Sequence, residues 1–281
     1  MRGPTRDTKL SKGQIDQISD NLLFLKNYIP SEFARKPRSL DEIDRWKATE
    51  FRQFVLYTGQ FALKGILTDN VYDHFMCLCV AVNILVNGNL SVSHSGYAHS
   101  LLQYFVEKCS VIYGPEFLVY NVHILLHLKS DADKYGSLDN CAAWIFENDM
   151  QQLKRKVRSG NNPVAQIVKR VQETLEVKKI EKTSKHIRFK RPDNMFRTDS
   201  GKYCEVLKPT DNEEKSFLCR VYNTCGLSFS VPCNSDLIGQ SQFQQFSYEM
   251  KTLSASALKT RCIQFPVHPN KVVFLPLQHE F

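Results

Sequence analysis

The apolar residues of this chain change rhythm once, near Lys185. Before that point they recur at three- and four-residue steps, and after it they fall in short alternating or unbroken stretches cut by Gly, Pro, Asn and Asp. The first spacing is that of helices with one buried stripe, the second that of strands. The expected fold class is α+β, with a mainly α-helical part over residues 1–185 and a small mainly-β domain over 186–281. The link between them is charged and exposed, which predicts two folding units with a protease-sensitive junction. At 281 residues, 42% of them hydrophobic, the chain is long enough to bury a full core.

In the helical part, Ile15, Ile18, Leu22, Leu25 and Ile29 form one stripe on a helix that Pro30 closes. Ser39 and Glu42 stand at capping-box spacing and predict a helix onward through Trp46, Phe51, Phe54 and Val55 toward Gly59. Asp69 to Val86 is apolar on nearly every side and reads as a central buried helix, with Tyr97 to Ile112 packed on it and Gly114-Pro115 ending that run. A short helix through Phe117 and Leu126, a loop at Asp131 to Asn140 and a helix over about Ala143 to Val157 follow. Pro163 suits the first turn of a last helix that continues to about Lys179. Beyond Lys185, the stretches Tyr203–Leu207, Phe217–Tyr222, Leu227–Val231, Cys262–Phe265 and Val272–Leu275 predict the strands of a small sheet or barrel.

The formal net charge of +8 is concentrated in one place. From Gln151 to Arg191 there are 13 Lys and Arg against 3 Glu, a local excess of +10, and the remainder sums to −2. Such a segment suits phosphates, an acidic protein or anionic lipid. Val164, Ile167, Val168, Val171 and Leu175 fit the stripe of an ordinary packed helix rather than a membrane-lying one, so no membrane role is expected. Lys154, Arg155 and Arg158 lie within one and a half helical turns, and Lys169 with Arg170 extends the patch on the following helix. No aromatic residues interleave with them, which favours double-stranded DNA over a single strand. The plain alternative is a solvated helix face.

The apolar run Phe75–Val86 falls short of the roughly 18–20 residues of a membrane span, and Met1–Lys12 has no apolar segment of a secretory signal. Nine cysteines, an odd number with no CxxC pair or zinc-ligand spacing, read as reduced and mostly buried thiols in an intracellular compartment. His123 and His127, four apart, would share one helix face, but Ile124 stands where a metalloprotease helix carries glutamate. Buried, hydrogen-bonded histidines are the better reading, and no metal site is expected. Glu147 lies at the start of a helix, where the macrodipole favours a carboxylate whatever its role.

The strings Tyr120-Asn121-Val122-His123-Ile124-Leu125-Leu126-His127-Leu128, Tyr135-Gly136-Ser137-Leu138-Asp139 and Phe146-Glu147-Asn148, with Leu153-Lys154 and Val157-Arg158, resemble the region following the catalytic core of CACTA-type (EnSpm-like) DNA transposases. Arg35-Lys36-Pro37-Arg38, Trp46 to Arg52 and Leu56-Tyr57-Thr58-Gly59 are similar to the same element proteins. So are Pro163, Gln166-Ile167-Val168 and Arg170, and the resemblance covers about Leu22 to Glu173. Arg191-Pro192-Asp193-Asn194 and Pro276-Leu277-Gln278-His279 look similar to the β-rich ends of these proteins, less specifically. The resemblance implies an RNase H-like nuclease in which three carboxylates hold two Mg2+ ions, with Glu147 as candidate third acid. Two strand-borne aspartates are missing, since Asp131, Asp133 and Asp139 crowd into one stretch, and Cys141-Ala142-Ala143-Trp144-Ile145 departs from the family's approach to the acid.

The expectation is thus a truncated or host-adopted transposase region that is nuclear, binds DNA and needs no cofactor by itself. It leans away from being an enzyme, because Glu147 cannot act alone. The competing expectation is a nuclear protein-interaction scaffold without a DNA role, with the β-rich domain as the docking part.

Overall fold

The computed structural model of the chain describes residues 8–143, 150, 153–178, 187–211 and 215–278, the side chains of 174–178 and 224–225 apart. Its architecture is α+β. Two compact units emerge, one built from Met1–Asn140 together with Arg188–Phe281 and the other from Cys141–Ile187.

In the larger unit, helix α1 (Lys12–Leu25) starts at a reciprocal cap. The Gln14 amide donates to Ser11 Oγ at 3.2 Å, and the Ser11 amide donates to Gln14 Oε1 at 2.9 Å. Its predicted stripe is buried at Ile18, Leu22 and Leu25, and Ile29 continues it after a 3-10 turn. The next segment departs from expectation. Ser39 caps a 3-10 turn over Leu40–Arg45, and Glu42 turns away to accept from Arg38 at 3.0 Å. The α-helix α2 (Ala48–Gln53) begins only after Trp46, where Glu50 accepts from the Lys47 amide at 2.9 Å. Arg38 decides this. Its guanidinium grips the buried Glu50 carboxylate through two nitrogens, at 2.7 and 2.9 Å, as well as Glu42 and the Arg45 carbonyl.

A π turn at Phe54–Thr58 leads into α3 (Gly59–Ala62). Gly59 is obligatory there, because a Cβ would lie 2.7 Å from the Phe54 carbonyl oxygen and 2.8 Å from the Phe75 ring. Helix α4 (Asp69–Val86) has the predicted bounds. By length and composition it could cross a membrane, but Val80, Ala81, Ile84 and Leu85 are fully buried in the helical core. It packs on α5 (Gly88–Tyr113), which starts earlier than its apolar pattern suggests because Asn87 Oδ1 caps the Asn89 and Leu90 amides. Gly114, at φ 97°, ends it as expected. The short α6 (Tyr120–His123) and a 3-10 turn run into α7 (Leu128–Tyr135), so part of the expected 131–140 loop is helical.

The β-rich part closes into a six-stranded antiparallel barrel. Its strands are β1 (Met195–Thr198), β2 (Tyr203–Pro209), β3 (Ser216–Gly226), β4 (Ser241–Ser254), β5 (Leu258–His268) and β6 (Lys271–Pro276). The order around the barrel is β1-β2-β3-β4-β6-β5, with β5 returning to β1. Sequence pattern finds four of these strands. β1 is too short to show alternation, β4 is largely exposed and polar, and Leu227–Val231 forms no strand. Rings from non-adjacent strands meet across the interior, with Tyr203 5.3 Å from Phe243 and 5.2 Å from Phe274. Two residues along β2, Glu205 is buried on the same face. Arg191 engages it through two nitrogens at 2.7 and 2.8 Å, Arg220 lies 3.2 Å away, and the Tyr222 hydroxyl also donates to it at 3.2 Å. These cations hold the Glu205 carboxyl below its ordinary range against the opposing effect of burial.

The expected boundary near Lys185 falls where helix gives way to strand, while the compact units have other bounds. Secondary structure changes in that region, but packing does not. Ile263, Phe265, Val273, Leu275 and Leu277 share one core with Ile18, Leu22, Leu56 and Tyr57. The Phe265 ring meets Phe61 at 5.1 Å and Tyr28 at 6.4 Å. Polar staples surround this contact. Asp193 accepts from the Ser31 amide at 2.6 Å and from Arg188 at 3.0 Å, while the Gln278 amide donates to the Tyr57 hydroxyl at 2.9 Å.

Another staple joins Glu32 to Arg261 at 3.2 Å. Burial pushes the Glu32 carboxyl from an ordinary 4.5 up to about 7, with Asp193 adding to the rise and Arg261 and Lys36 opposing it. A carboxyl raised in this way binds its proton more tightly folded than unfolded, so its contribution falls as pH climbs from about 4.5 to about 7. Glu32→Gln should therefore flatten the decline of melting temperature over that pH window, whatever it does to the absolute value. Thermal melts from pH 4.5 to 8 with parallel slopes in both proteins would contradict this.

Candidate nucleic-acid interface

The basic residues singled out above belong to the unit Cys141–Ile187. Residues 153–156 form a helical turn, a loop follows, and α8 (Pro163–Lys178) begins with proline in its first turn. Gln166 organises the loop from inside α8. Its Oε1 accepts from the Arg158 amide at 3.0 Å, and its Nε2 donates to the Ser159 and Asn161 carbonyls at 3.2 and 2.6 Å. Lys156 Nζ reaches the Arg170 carbonyl at 3.5 Å. These bonds bring the segment Lys154–Arg158 against α8, so that both basic clusters share one small surface.

Lys154, Arg155, Arg158 and Lys169 are exposed, whereas Arg170 and Lys156 are half-buried. Glu173 lies about one turn along α8 and is the nearest acid on that helix. The apolar stripe expected to pack is partly open, since Val164 is 71% and Val168 50% exposed, beside Lys169. Together with Pro163 and Gln172 these residues line a shallow depression. Chemically, the described residues of this arrangement offer several cations and a few methyl groups to a polyanion.

Two cations of the basic segment are committed elsewhere. Arg188 is spent on Asp193 and Ser31, and Arg191 on Glu205. Nothing in the sequence pattern separates them from their neighbours, because their acidic partners lie on other elements. Asp139 is likewise engaged, accepting from Arg52 NH2 at 2.9 and 2.7 Å, and Asp133 pairs with Lys129.

His123 and His127 do share a face, with ring centroids 5.5 Å apart, but both are exposed rather than buried. The helix bearing them packs by Leu125 and Leu128 instead. No group of three or more His, Cys, Asp or Glu positioned for a metal ion occurs among the described residues. Glu147, and most of the helix expected over Ala143–Val157, lie outside the described residues.

Because Gln166 ties down three loop positions, Gln166→Ala should free the Arg158 amide and speed its hydrogen exchange by about tenfold, equivalent to one lost bond of roughly 1.4 kcal/mol. Unchanged exchange across residues 158–162 would show that the loop is held by other means. Residues 159–277 match a family described as Domain of unknown function (DUF8592), a stretch that spans α8 and all six strands. No curated protein and no solved structure matches the chain.

Proposed function

We propose that the chain is a transposase-derived nuclear protein that binds double-stranded DNA through Lys154, Arg155, Arg158, Lys169 and Arg170 and does not cut it. The observation that carries this reading is the joining of two basic clusters, distant by more than ten residues in sequence, by the contacts of Gln166 and Lys156. A chance run of lysines on a solvated helix needs no such joint. Affinity comes mainly from released counterions and carries little base preference. The exposed valines beside Lys169 add apolar contact with sugar rings.

Resemblance to CACTA-type transposases supports DNA as the polyanion. In an intact member of that family, Glu147 would complete a carboxylate triad around Mg2+. A single carboxylate cannot hold two such ions, and among the described acids Asp133 and Asp139 are tied up in ion pairs.

In a salt titration on duplex DNA, each phosphate contact removed should reduce the slope of log K against log salt by about 0.9. The combined replacement Lys154→Ala, Arg155→Ala and Arg158→Ala should weaken binding and flatten that slope, and no Mg2+- or Mn2+-dependent nicking should accompany binding. Wild-type affinity and slope in the triple variant would defeat the assignment, and nicking abolished by Glu147→Gln would restore an enzymatic role.

A further inference from the structure

Strand β4 is 14 residues long, yet only Ser241–Gln244 pair with β6. Its pairing with β3 runs on to Ser254. From Phe246 onward the other edge of β4 therefore has no strand beside it among the described residues. Every residue from Phe246 to Thr252 is exposed. The register from Tyr222↔Tyr248 to Ser216↔Ser254 is regular, and the irregularities of this strand pair lie before Tyr248, in the stretch that includes Phe246. The edge also contains no proline. Folded proteins normally blunt such an edge with a bulge or a proline, since its free N–H and C=O groups invite another strand.

The side chains along the edge alternate. Tyr248 and Met250 lie on one face, 37% and 50% exposed, and Phe246, 73% exposed, precedes them in the irregular stretch. Glu249 and Lys251 project from the opposite face, paired with each other at 2.5 Å. Arg220 sits over the Tyr248 ring at 5.1 Å and leaves Phe246 and Met250 open.

We propose that this edge pairs antiparallel with the same edge of a second copy of the chain, about a two-fold axis at Met250, to form a dimer with one continuous sheet. In such a pairing the numbers of facing residues have a constant sum, which must be even for the outward backbone groups to meet. Each permitted register is then fixed by the residue on the axis. An axis at Glu249 sets glutamate against glutamate, and one at Lys251 sets lysine against lysine; like charges directly opposite are unfavourable. An axis at Tyr248 places Glu249 opposite serine and gains no charge pairing.

Only the axis at Met250 sets Glu249 opposite the partner's Lys251, and it does so twice. It also lays Met250 against the partner's Met250 and Tyr248 against the partner's Thr252, on the apolar face. The contact is self-complementary and closes at two copies, so it does not propagate into a fibre. This inference is independent of DNA binding, because none of its residues belongs to Cys141–Ile187.

Sedimentation velocity on the full chain across a wide concentration range tests it. A species of twice the 32.4 kDa chain mass is expected. Lys251→Glu and Glu249→Lys, each of which puts like charges opposite at two positions, should weaken the dimer by about tenfold. The double exchange Glu249→Lys with Lys251→Glu should restore it. A monomer at every concentration overturns the proposal, as does a dimer that ignores the single exchanges. Circular dichroism confirms that the variants are folded. If either single variant is not, the doubly exchanged protein decides alone: a monomer overturns the proposal, and a wild-type dimer constant upholds it.

Discussion

The outward-facing side chains of β5 and β6 cannot face water, and the helices are where they go. Ile263, Phe265, Val273 and Leu275 are almost wholly buried, and each lies on the sheet face opposite the ring cluster that fills the barrel. Phe265 sits between Tyr28 and Phe61, and truncating a ring of that kind in a closed core costs about 3 to 5 kcal/mol. The rings of Tyr203, Tyr222, Phe243 and Phe274 already fill the barrel interior. The barrel's second apolar face needs a cover, and α1 with the turn after it supplies one.

Much of the polar chemistry in the larger unit follows from that contact. Once the helices and barrel share a core, the carboxylates at its rim must be paired. Asp193 meets Arg188 and the Ser31 amide, and Glu32 meets Arg261. The segments Arg35–Arg38, Trp46–Gly59 and Tyr135–Asp139 carry several further staples. Arg38 of one segment holds Glu50 of the next, and Arg52 holds Asp139. Ser137 donates to the Val86 carbonyl at 2.6 Å, and Tyr57 receives the Gln278 amide. Short motifs spread along the chain therefore describe one folded frame, and their charged residues serve its stability.

Helix identity was legible where a stripe was long and one-sided, as in α1 and α4, because apolar spacing alone determines such segments. It failed at Ser39, where the capping pair was local but Arg38 drew Glu42 and Glu50 to itself. β6, which faces two cores, announced itself by the unbroken run Val272–Leu275, and β2, β3 and β5 by short, mostly apolar stretches. β4 did not, because most of its side chains are exposed and polar. Among the candidate site residues, the exposure of Lys154, Arg155 and Arg158 could be read from charge. The removal of Arg188 and Arg191 from the basic surface could not, since it depends on Ser31, Asp193 and Glu205 meeting them in three dimensions.

The larger unit is also discontinuous along the chain, with Cys141–Ile187 lying between its two parts. Its decisive contacts join residues separated by 162, 221 and 229 positions. Loop-closure entropy must be met before any of them forms, which places this fold among slow, non-local folders. During synthesis the stripe of α1 and the turn at Tyr57 stay uncovered until β5 and β6 emerge.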